Sequence, residues 1–122
     1  MNEKKKTLIL GASENPSRYS YLALQRLQFY QHPVVAIGKK KGIVGNVAIE
    51  TDKKEWNDVD TVTLYLNPMN QQQYYNYIIS LRPRRIIFNP GAENIELSEM
   101  ASRHGIQPVE ACTLVMLATN QY

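Results

Sequence analysis

Thr7-Leu8-Ile9-Leu10-Gly11-Ala12-Ser13-Glu14-Asn15-Pro16, then helical-spaced Ala23, Leu24, Leu27 and Tyr30, then Val34-Val35-Ala36-Ile37-Gly38, is the stretch that decides the fold. A short apolar run halted by a glycine reads as a strand buried on both faces, as in a parallel sheet. The middle segment has the period of a helix, with Pro16 suited to its opening turn and Pro33 to its stop. Strand, glycine loop, helix and strand make one βαβ unit.

Working outward, residues 60–66 read as a third strand broken by Asn67-Pro68, and a polar, tyrosine-rich helix is predicted over 69–81. Arg85-Ile86-Ile87-Phe88 is a fourth strand cut by Asn89-Pro90-Gly91. Ile95, Leu97, Met100 and Ala101 then suit a helix closing near His104-Gly105. Ile106-Gln107-Pro108-Val109 is a fifth strand, and a last helix is expected over 113–119. The alternation predicts an α/β, Rossmann-like, doubly wound and mainly parallel five-stranded sheet with helices on both faces.

With 122 residues, 43% of them hydrophobic and 20% charged, the chain reads as one globular domain over 1–122 rather than a disordered tail or a coiled coil. No apolar run approaches the roughly 18 to 20 residues that span a bilayer, and no signal-peptide apolar stretch comes after Met1 to Lys6. The expectation is a cytoplasmic protein with no membrane partner. Cys112 is the single cysteine, which excludes an internal disulfide and a multi-cysteine metal site. A net charge of +3 is a weak field for nucleic acid, and none is expected as a partner. The cations instead cluster locally, at Lys4-Lys5-Lys6, Lys39-Lys40-Lys41 and Arg82-Arg84-Arg85.

Ligands of open parallel sheets lie outside the carboxyl ends of the strands, near the point where strand order reverses. That rule selects Gly11, Ala12, Ser13, Asn15, Arg18, Tyr19 and Ser20 after the first strand, and Gly38, Lys39, Lys40 and Lys41 after the second. It also selects Leu66, Asn67 and Pro68, then Asn89, Pro90, Gly91 and Ala92, and finally Cys112. The first loop suits an anion at a helix start, but it is not the dinucleotide fingerprint, because Ser13 stands where the second glycine belongs. Nor is there a Gly-Lys-Ser/Thr P-loop.

After the second strand an NAD enzyme offers a carboxylate to the ribose hydroxyls, whereas this chain offers three lysines. Cations there favour a ribose that carries a phosphate, and both coenzyme A and NADP meet that condition. Asn67 and Asn89 supply carboxamides at two similar strand exits, with prolines shaping an apolar wall. Arg18, read as lying in the first turn of the helix, is a poor neighbour for a helix amino terminus unless an anion compensates, so it reads as a ligand clamp. Tyr19 and Tyr21 either cover the groove or join the core.

Other residues have structural readings. Cys112, before the last helix, is either inert packing or a thiol activated by the helix start. His32 and His104 are read as capping helix carbonyls or facing water, and Trp56 as anchoring a connection to the core. Tyr74, Tyr75 and Tyr77 cannot share one face of a helix, which leaves some for solvent or for a homodimer surface. No carboxylate pair, Ser/His/Asp set or metal-ligand spacing is found, so no catalytic or metal residue is assigned and a binding module is favoured over an enzyme.

Four motifs together resemble a known family. They are the run from Gly11 to Tyr21, Tyr65-Leu66-Asn67-Pro68, Phe88-Asn89-Pro90-Gly91-Ala92-Glu93, and Ala111-Cys112-Thr113-Leu114-Val115-Met116-Leu117. In this order they resemble the stand-alone CoA-binding domain family, related to the CoA-binding domain of the succinyl-CoA synthetase alpha subunit. The resemblance implies a Rossmann-like fold and binding of coenzyme A. It implies phosphate at Gly11 to Ser13 with Arg18 to Ser20, and the nucleotide along Asn67-Pro68. The family often carries Asn-Pro-Lys after its second strand, where this chain has Gly38-Lys39-Lys40-Lys41. The favoured reading is a non-catalytic protein holding coenzyme A or an acyl-CoA. The alternatives are an NADP-binding oxidoreductase or redox sensor, and a protein-interaction module with a vestigial pocket.

Overall fold

A computed structural model describes residues 3–122; Met1 and Asn2, the start of the segment read against a signal peptide, lie outside it. The elements run β1 (Thr7–Ala12), α1 (Tyr19–Phe29), β2 (Val34–Gly38), β3 (Gly42–Val44), β4 (Val47–Glu50) and β5 (Thr61–Leu64). They continue with α2 (Pro68–Gln71), a 3-10 turn (Gln72–Tyr74), α3 (Tyr75–Leu81), β6 (Arg85–Phe88), α4 (Ile95–Arg103), β7 (Gln107–Glu110) and α5 (Thr113–Ala118).

The strands form one sheet in the order β3-β4-β2-β1-β5-β6-β7, parallel except where β3 returns antiparallel to β4. The fold is α/β and Rossmann-like, but the sheet has seven strands where the sequence reading expected five. The two extra strands form a hairpin closed by Gly45-Asn46, with Gly45 in the left-handed region at φ +62°. A glycine at the first central position is what a primed hairpin turn needs. The apolar segments on either side are too short to register as buried strands, although the Gly-Asn pair marks the turn between them.

Side-chain alternation along β1 sends Leu8 and Leu10 to one core and Ile9 to the other. On the first face they pack with Val62, Leu64, Ile86 and Phe88 of the sheet beneath Ile78 of α3 and Leu97 and Ala101 of α4. On the second, Ile9, Ala36 and Ile49 meet Ala23, Leu24 and Leu27 of α1 and Leu117 of α5. Each fully buried aliphatic side chain of this kind contributes about 1.5–3 kcal/mol of hydrophobic stabilisation. Trp56 packs half-buried against the first core, the anchoring role expected of it.

Two element boundaries move. α1 opens at Tyr19, not at Pro16, because the Asn15 Oδ1 accepts from both the Ser17 N–H (3.0 Å) and the Ser17 hydroxyl (2.8 Å) and holds residues 13–18 as a loop. Arg18 is therefore the N-cap residue instead of a first-turn residue. The single helix expected over 69–81 is broken at the 3-10 turn, since residues 68–74 bury only Gln71 and present no apolar stripe to enforce one continuous helix. His32 does not cap carbonyls or face water: it is buried, accepts the Lys5 N–H on Nδ1 at 3.0 Å and meets the Tyr122 ring edge-on at 4.9 Å. His104 behaves as expected, at the C-cap of α4 with Nδ1 2.8 Å from the Met100 carbonyl.

Candidate functional site

The chain starts in the middle of the sheet, fills one side through β2, β4 and β3, and then returns to fill the other through β5, β6 and β7. Strand order reverses at β1, and the loops leaving β1, β2, β5 and β6 at their carboxyl ends diverge around a crevice of about 910 Å³. That volume lies in the range of small-molecule sites.

Backbone fit brings the first two loops together. Gly11 has φ +93°, and a Cβ there would stand 2.7 Å from the Tyr65 carbonyl oxygen. The bulge at Gly11 lets β1 continue to Ala12, and beside it a Cβ on Gly38 would stand 2.2 Å from the Ala12 carbonyl oxygen. Both glycines thus serve close approach of three chain segments. The loop after β1 is self-supporting, the Ser13 hydroxyl oxygen accepting the Asn15 N–H at 3.0 Å. It delivers the start of α1 to the crevice with no side-chain cap on its first amides, an arrangement suited to an anion.

The rim is cationic. Arg18, Lys39, Lys40 and Lys41 all line the crevice and are exposed or nearly so, and none forms an ion pair among the described residues. Glu14 is the one carboxylate on this lining, and its Oε2 accepts the Ile43 N–H at 2.8 Å.

The opposite wall comes from β5 and the segment that leads on into α3. Asn67 is the N-cap of α2, its Oδ1 accepting the Asn70 N–H at 2.9 Å, so its amide NH₂ is the part left for a ligand; Pro68 fills the first helical position. Gln71, fully buried, donates from Nε2 to the carbonyls of Leu66 and Ala92, both at 2.8 Å, and accepts from Asn94 Nδ2 at 2.8 Å. It fixes two lining segments to each other. Burial pushes the Tyr65 and Tyr74 hydroxyls up in pKa. Both tyrosines are neutral walls.

Of the residues expected from the sequence, Gly11, Ala12, Ser13, Asn15, Arg18, Tyr19, Ser20, Gly38 and the three lysines share this crevice with Leu66, Asn67, Pro90, Gly91 and Ala92. Pro68, Asn89 and Cys112 are not on its lining. Asn89 is buried, with its carboxamide turned into the protein, and Cys112 is a half-buried free thiol at the N-cap of α5. Tyr65, Asn70, Gln73 and Tyr74 line the crevice without having been expected there. For Asn70, Gln73 and Tyr74 the signal was the polar run after Asn67-Pro68, which reads as a solvent-facing helix; Tyr65, at the exit of β5, had no separate signal.

The model of the CoA binding domain family matches residues 5–118. This chain belongs to that family. A crystal structure of an uncharacterized protein is similar to this chain at 52% identity and TM-score 0.96, covering 99% of this chain and 100% of that one. A hypothetical protein from Pyrococcus horikoshii OT3 shares 21% identity at TM-score 0.85, covering 95% of this chain and 83% of the other. Protein ID.343 from Thermus thermophilus shares 18% at TM-score 0.82, over 98% and 91% of the two chains. The last two likenesses are of fold alone. Curated proteins give no match to this chain. Among its described residues no helix is long and apolar enough to cross a membrane.

Proposed function

We propose that this domain holds coenzyme A, free or acylated, as a non-catalytic binding protein. The observation that carries the reading is one crevice, in a member of the CoA binding domain family, that joins an uncapped helix start to four cations. The pyrophosphate sits at the first amides of α1 beside Arg18, and the 3′-phosphate near Lys39, Lys40 and Lys41. The adenine runs along the Asn67 side and the thiol arm passes Pro90 and Gly91. The absence of catalysis is supported by Glu14, whose carboxylate is bonded to a backbone amide instead of paired with a second acid or base. The reading includes a cytoplasmic setting, supported by the single cysteine.

Calorimetric titration with coenzyme A, dephospho-coenzyme A, NADPH and NADH tests it. Coenzyme A is expected to bind best, and to lose affinity when its 3′-phosphate is removed. Tighter binding of NADPH would favour a redox role, and no saturable binding by any of the four would leave an interaction module.

A further inference from the structure

The hairpin of β3 and β4 is attached to the rest of the protein more lightly than the other strands. Its sheet pairing to β2 is confined to Ala36 with Ile49 and Ile37 with Glu50. Val44 and Ile49 are buried in the second core, and polar side chains from the first βα unit add to that hold. At the tip, Gln28 of α1 donates to the Val44 carbonyl at 2.9 Å and accepts the Asn46 N–H at 3.0 Å. At the base, the Glu14 carboxylate accepts the Ile43 N–H at 2.8 Å. Glu14 also lies flat across Gly42, where a Cβ would come within 2.3 Å of its Cδ. The three lysines occupy the turn just before this base.

A carboxylate is a poor choice beside four cations that face a polyanion, because it opposes the field that would attract the ligand. Its bond to the edge-strand amide explains the position. Resting on the coenzyme A reading, we propose that Glu14 is a positioning residue. It clasps the hairpin base through Ile43, so that Lys39, Lys40 and Lys41 are held toward the crevice and the ribose phosphate. Gly42 is the complementary half of this clasp, since any side chain there would displace Glu14.

Glu14→Gln and Glu14→Ala separate position from charge. Both remove one negative charge, but only Gln keeps an acceptor for the Ile43 amide. In calorimetry E14Q is expected to bind coenzyme A at least as tightly as wild type, and E14A about threefold more weakly than E14Q. Dephospho-coenzyme A is expected not to distinguish the two variants. Amide exchange followed by NMR on the ligand-free protein supplies a readout independent of the ligand: the Ile43 N–H should exchange slowly in wild type and E14Q and faster in E14A. Equal coenzyme A affinity for the two variants, or an Ile43 amide indifferent to E14A, overturns the clasp. Wild-type protein that fails to bind coenzyme A overturns the functional reading instead, and the exchange rates still decide the clasp.

Discussion

The Asn89 carboxamide donates to the Thr63 hydroxyl at 2.7 Å, tying the end of β6 to its neighbour β5 inside the protein. The same nitrogen reaches the Leu64 carbonyl at 2.9 Å, and the Asn89 oxygen accepts the Thr113 N–H at 2.8 Å, so α5 is bound into the same knot. Asn89→Leu takes the acceptor from the buried Thr113 N–H and a donor from Thr63, whose hydroxyl keeps its 2.8 Å bond to the Thr113 hydroxyl, and is expected to lower stability by about 2–3 kcal/mol. Urea denaturation measures that loss. Ligand affinity of the folded variant should change little, and a large loss of affinity without a loss of stability would place the carboxamide in the site after all.

Gly38 and Gly105 offer a contrast between collision and conformation. A methyl at Gly38 meets the Ala12 backbone oxygen at 2.2 Å, whereas one at Gly105 meets nothing within 4 Å and is opposed only by φ +74°. Gly105→Ala should cost about 1 kcal/mol. Gly38→Ala should cost about 2 kcal/mol or more, since backbone has to move, and should also weaken ligand binding by parting the first two loops. Thermal melts of the two variants, run side by side, check the order.

Stability should fall as the solution is acidified, with His32 responsible for a defined part. Burial lowers its pKa below the ordinary 6.5, and Lys4, Lys5 and Arg85 push in the same direction. The Nδ1 that accepts the Lys5 N–H must be unprotonated. The unfolded chain takes up a proton near 6.5 that the folded state resists, so this contribution is present above that pH and declines as pH falls through it toward the lowered native value. Melting temperatures of wild type and His32→Gln should converge on acidification. Parallel curves would show that His32 does not titrate on unfolding.

Gln71→Leu fills the same space without the two donors that join Leu66 to Ala92. It should reduce stability by about 2 kcal/mol, because two buried carbonyls lose their partners. Ligand affinity should drop with it, since both of those segments line the crevice. Restored affinity in Gln71→Glu, which retains the shape but not the donors, would argue against this account.

The sequence makes the parallel core plain because Leu8, Ile9 and Leu10, and then Ile86, Ile87 and Phe88, are continuous runs with no polar face. The loops around the crevice are positioned by that core and by the rule that ligands gather at strand carboxyl ends, which is why most expected positions meet in space. The features that escaped depend on tertiary context. Ile43 and Ile49 belong to strands so short that only the turn between them signals pairing. Gln71 reads as a surface glutamine until the two carbonyls it serves are known. Asn89 has the same residue type and strand-exit position as Asn67, yet one points inward and the other caps a helix in the open. Only packing against Thr63 and Thr113 separates them.

The edge location of the β3–β4 hairpin has an evolutionary and practical corollary. The lysine turn leads into the outermost strands yet is itself exposed, so Lys39, Lys40 and Lys41 can be recharged with little disturbance to the scaffold, whereas Val44 and Ile49 of the hairpin are built into the second core. On the coenzyme A reading, preference among phosphorylated ligands would then be tunable at that exposed turn alone.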